Sequence, residues 1–179
     1  MTRAIRAGSL LMTVAASACA PAQQPGAAVA PERKVYRMSR NVVGGEQPTV
    51  GSLTLNVERT VEGTTDRYEL FMRWTGAARV DVQPGESLVI RADSQEFKFR
   101  VLESGIYRDF RCDRGCTYDD RAYYPATAAQ VQAIADARRV TVRLVGSKQT
   151  MEREFNEVNF ERFREFVAKN SPSMEKKAP

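Results

Sequence analysis

Between Tyr107 and Pro125 the chain gathers four of its six tyrosines, four aspartates, four arginines and two of its three cysteines. Three chemistries compete for this segment. The first is structural. Cys112 and Cys116 stand four residues apart, and four extended steps would span roughly 13 Å. A disulfide needs Cα atoms about 4.4–6.8 Å apart, so the chain must curl there, and Gly115 permits it. The second is redox, but C-x-x-x-C is not the C-x-x-C of exchange proteins, and no βαβ pattern surrounds it. Arg111 and Arg114 favour a thiolate while Asp109 and Asp113 oppose it. The third is recognition. Tyr and Arg dominate interface hot spots, which makes Tyr107, Arg108, Arg111, Arg114, Tyr118 and Arg121 candidate partner-binding residues on a disulfide-pinned loop.

The remaining inventory excludes several classes. The chain has no histidine. A Ser-His-Asp or Cys-His nucleophile is therefore out of reach, as is a zinc site built on His. Neither phosphate-loop glycine pattern occurs. Asp113, Asp119 and Asp120 lack the spacing of a calcium loop. These absences imply no cofactor and no metal. The carboxylates Asp119, Asp120 and Glu103 are what remains for an enzyme acting on glycans. Neighbours on a strand point to opposite faces, so Asp119 and Asp120 are poorly placed to act together. Charges of both signs alternate along the chain, and no concentrated basic patch marks a nucleic-acid site.

The N-terminus has the layout of an export signal: Arg3 and Arg6, an apolar stretch from Leu10, then Ala16-Ser17-Ala18 before Cys19. Ala16-Ser17-Ala18-Cys19 resembles the lipobox of bacterial lipoproteins, with Ala16 where that family usually has Leu. The same residues also fit an ordinary signal peptide cut after Ala18, and both readings break the same bond. The resemblance implies that Cys19 is lipidated, leaving Cys112 and Cys116 as a pair. It also implies a membrane partner through three acyl chains, a stable tether. Ala at position 20 implies the periplasmic side of the outer membrane. Loss of Arg3 and Arg6 lowers the side-chain charge from +5 to +3. Residues 1–18 are thus expected as signal, 19–33 as a Pro/Ala/Gln-rich linker, 34–170 as one folded domain and 171–179 as a frayed tail.

Within the domain, alternation of apolar and polar residues predicts strands with one solvated face. Residues 52–58 and 68–74 form a hairpin around Glu62–Thr65, and 87–92 with 96–101 form a second. Residues 140–144 and 151–155 form a third, and Val80-Asp81-Val82 reads as a short strand. Thr127 and Gln130 make a capping box for one helix. Asn156 caps a second, with Phe155 and Phe160 as a hydrophobic staple. The expected fold is α+β and β-rich. It is a mainly antiparallel sheet, as a small sandwich or open barrel, with both helices of the C-terminal half packed on it.

The reading that emerges is a non-enzymatic, lipid-anchored cell-envelope domain that binds a protein or envelope component. A second is an inhibitor of an envelope or extracellular hydrolase, since the β-rich, disulfide-pinned form resembles small envelope lipoproteins that block lysozyme. The basic charge opposes a basic lysozyme and suits a neutral or acidic protease better. From Tyr123 to Val167 the chain loosely resembles uncharacterised bacterial lipoproteins, a likeness that implies no activity.

Overall fold

Every second residue from Leu53 to Val57 and from Tyr68 to Trp74 is apolar, and the structure buries that set. Leu53, Leu55 and Val57 on β2 (Ser52–Glu62) share one face with Tyr68, Leu70, Met72 and Trp74 on β3 (Thr65–Gly76). The structure, a computed structural model, describes residues 31–45, 51–113 and 115–170. The expected signal segment, Cys19, most of the linker, Arg114 and the tail lie outside the described residues.

Two antiparallel sheets result, layered as in a β-sandwich. The first has the order β1-β2-β3-β7-β6, with β1 Arg33–Arg37, β6 Ile106–Cys112 and β7 Cys116–Ala126. The second has the order β5-β4-β8-β9, with β4 Gly85–Ala92, β5 Gln95–Val101, β8 Val140–Val145 and β9 Thr150–Glu154. The two sheets are separate, with no strand paired across them, and do not close into a barrel; the arrangement is sandwich-like, as expected. Leu88, Ile90, Phe99, Val101, Val140, Val142 and Leu144 face the first sheet's apolar set in one continuous core.

Both helices feed that core. The capping box of α1 (Ala128–Asp136) is complete: Gln130 N–H donates to Thr127 Oγ1 at 3.2 Å and Thr127 N–H to Gln130 Oε1 at 2.9 Å. Val131, Ile134 and Ala135 are its buried stripe. On α2 (Glu157–Asn170), Asn159 N–H donates to Asn156 Oδ1 at 3.0 Å, and the Phe155 and Phe160 rings meet at 5.4 Å. Buried Asn159 ties the start of α2 to the first sheet, donating to Asn41 Oδ1 and the Val42 carbonyl, each at 2.8 Å. The chain reaches that point by breaking β1. Arg40 takes φ +58°, and Val42 then bridges Thr54.

Two expectations are corrected. Residues 107–125 are not a loop but the hairpin β6–β7, whose register pairs Cys112 with Cys116 and Ile106 with Ala122. The strand signal is faint because β6 is an edge strand with only Ile106 buried, and because a charged residue, Asp120, takes a core position on β7. Val80-Asp81-Val82 is not a strand beyond a single bridge, Val82 to Gly146. Asp81 sits at φ +61°, outside the extended region, and the Val80 and Asp81 amides turn toward Asp120 instead of a ladder. Gly146 belongs to the same junction, because any Cβ there would collide with the Val80 carbonyl.

Candidate partner-binding face

The apolar residues of β3 and β7 point inward, so their sequence neighbours form the outer face of the five-stranded sheet. Phe71 lies opposite Tyr123, with ring centroids 4.9 Å apart. Tyr107 on β6 continues the row, edge-on to Tyr123 at 6.1 Å. Tyr107 is 55% exposed, while Phe71 and Tyr123 are half-buried.

Beside this row Asp119 is held by two arginines at once. Arg73 donates through Nε at 2.9 Å and Nη2 at 2.7 Å, and Arg121 through Nε at 3.0 Å and Nη2 at 2.5 Å. The Arg121 hydrogen bonds do most to bring the Asp119 carboxyl down to about 2; partial burial opposes them, and Arg73 adds to them. Burial pushes the Tyr123 phenol up, and the Glu58 carboxylate adds to it. Glu58 is itself paired with Arg37 at 2.6 Å. The face is therefore an aromatic row edged by guanidinium groups, two of which already share an anion.

The predicted site residues divide between the two faces. Tyr107 and Arg121 join the outer face, and Arg111 is exposed at its distal end. Arg108 and Tyr118 lie on the opposite side of the same hairpin. Arg108 is committed internally, donating to the Val82 carbonyl at 2.6 Å and to Glu103 at 3.2 Å, with Asp81 3.4 Å away. Tyr118 packs against Phe110, which is 65% exposed, at 6.4 Å. Arg114 lies outside the described residues. Phe71, Arg73 and Tyr123 were missed as site residues. The signal was present for Phe71 and Arg73, since they are the alternate positions to Leu70, Met72 and Trp74.

Cys112 and Cys116 are joined as a disulfide at the hairpin end, on antiparallel strands and not at a helix N-terminus. The three candidate carboxylates diverge. Asp119 faces outward into its arginines, and Glu103 pairs with Arg108. Asp120 is buried, with Oδ2 accepting the Val80 amide at 3.0 Å and the Asp81 amide at 2.8 Å. Among the described residues no group of three or more Cys, Asp or Glu is placed to hold a metal ion, and no helix is long and apolar enough to cross a membrane. No protein-family model, curated protein or solved structure matches the chain.

Proposed function

We propose that this chain is a non-enzymatic domain of the cell envelope that binds a protein or envelope component through the outer face of its five-stranded sheet. In this reading Cys19 carries the lipid, and the domain hangs from the periplasmic side of the outer membrane. The observation that carries the binding reading is the row Phe71–Tyr123–Tyr107 beside Arg73 and Arg121. Rigid aromatic rings and guanidinium groups bury large area at small entropic cost, which is what interface anchors require. The sheet beneath supplies the rigidity.

The test has two arms. Mass spectrometry of the N-terminal peptide should find an acylated Cys19; an unmodified Met1 on soluble protein rejects the anchor. Cross-linking in intact cells should recover a discrete partner with the native chain. Recovery should fall at least several-fold with Tyr107→Ala/Arg121→Ala and stay unchanged with Tyr118→Ala, which lies on the other side. Equal recovery by all three rejects this face.

A further inference from the structure

A groove of about 550 Å³, bordering that face at Phe71 and Arg73, opens where the start of α2 meets β2 and β3. Its polar lining is Arg40, Arg73, Arg162, Thr54, Asn56 and Asn156, and among the described residues no aspartate or glutamate lines it. Among the described residues Arg40 and Arg162 make no salt bridge within 4 Å, although Glu165, on the far side of both, feels the Arg162 charge and is itself paired with Lys169. Arg73 gives Nε and Nη2 to Asp119, and among the described residues its Nη1 has no acceptor. Asn56 is nine-tenths buried. Its Oδ1 accepts the Asn41 amide at 3.1 Å, which fixes the orientation of the group and leaves Nδ2 without an acceptor among the described residues. Asn156 is exposed; its Oδ1 accepts Asn159 N–H, and among the described residues its Nδ2 has no acceptor.

The groove is thus rich in donors and poor in acceptors. The Asn56 Nδ2 is not sealed from water, so an acceptor in the groove would replace solvent there. Guanidinium forks and amide N–H groups match an oxyanion. The Asp119 carboxylate already takes the Nε and Nη2 edges of two arginines on this sheet. A group able to engage further cations and two amides needs more charge and more oxygens than a carboxylate, which describes phosphate. Phe71, Val42 and Val158 line the remainder and suit the carbon skeleton bearing it.

We infer that this groove binds a phosphate group, held by Arg40, Arg162, the free edge of Arg73 and the Asn56 amide. The site adjoins the partner face at Phe71 and Arg73 but does not depend on it, since Arg40, Arg162 and Asn56 take no part there. Two sources offer the same chemistry, a soluble phosphate ester and a phospholipid headgroup.

The full chain is titrated at physiological salt with inorganic phosphate, followed by ¹⁵N shifts. In parallel the full chain carrying Cys19→Ser, which removes the acyl anchor, is sedimented with phosphatidylglycerol vesicles and with phosphatidylcholine vesicles. Binding of inorganic phosphate with shifts centred on Arg40, Asn56 and Arg162 supports the site and a soluble source. Retention on the anionic vesicles alone supports the site and a headgroup source, provided Arg40→Gln/Arg162→Gln abolishes it. In either case the double variant should weaken binding roughly tenfold or more. Arg143→Gln, an exposed arginine on the other sheet, should leave binding unchanged. Absence of binding to both probes overturns the inference. So does an equal loss with Arg143→Gln, or shifts that map elsewhere in the native chain. The native-chain shifts keep the test decisive even if the double variant folds poorly. Loss of phosphate binding with partner capture intact separates this site from the partner face.

Discussion

On β7, Asp119 and Asp120 are neighbours with the same side chain and opposite surroundings. Asp119 faces solvent and is neutralised by two arginines that themselves remain reachable. Asp120 faces the core, and its Oδ2 accepts from backbone amides of the crossover between the sheets. The crossover is secured further by Arg108 on Val82 and by Trp74, whose Nε1 donates to the Ala78 carbonyl at 2.8 Å. A one-residue step along a strand thus separates a surface whose charges can be lent to a partner from a junction whose charges hold the fold. Stability should track the inner face and recognition the outer one.

The inner side should show the largest effects. Trp74→Ala removes a fully buried ring and the anchor of the crossover, and should cost about 3–5 kcal/mol in urea unfolding. A cost below about 1 kcal/mol would mean that the two faces are not energetically distinct. Asp120→Ala strands two amides in the junction and should cost about 3 kcal/mol, with Asp120→Asn recovering part of it. Reducing the disulfide, or Cys112→Ser/Cys116→Ser, opens a loop closed over a separation of only four residues. Chain entropy then predicts a loss of about 2 kcal/mol, confined in hydrogen exchange to the hairpin end.

Smallest is the outer carboxylate. Asp119→Asn should cost about 1 kcal/mol, because its arginine partners are exposed. The Asp119 carboxyl titrates lower folded than unfolded, so its contribution is complete above the ordinary aspartate value of 3.8 and drains away as pH falls through about 2. The native chain should lose that stability over this acid window, and Asp119→Asn should lose correspondingly less. Identical acid profiles would place the stabilising charge elsewhere.

Much of the architecture was legible because burial on one side of a strand leaves a period of two in the chain. The three hairpins, the Thr127–Gln130 box and the Asn156 cap with its Phe155–Phe160 staple depend on residues close in sequence, and all appear in the structure. The hairpin β6–β7 was not legible. An edge strand buries little, so Arg108, Asp109 and Arg111 interrupt any alternation. The residues of the candidate face were half visible. Tyr107 and Arg121 stood out by type, but nothing local set Arg108 and Tyr118 on the other side.

From its amino acids alone, this protein's β-rich antiparallel character, its two C-terminal-half helices and the proximity of Cys112 to Cys116 could be set down. Each is a matter of local propensity, periodicity or short loop closure. Only the tertiary structure decided that Phe71 meets Tyr123 and that Asp119 draws in Arg73 across the sheet. It alone brought Arg40, Asn56 and Arg162 to one groove. Those groups come from segments far apart in the chain, and the register between strands, not the order of residues, sets their distances.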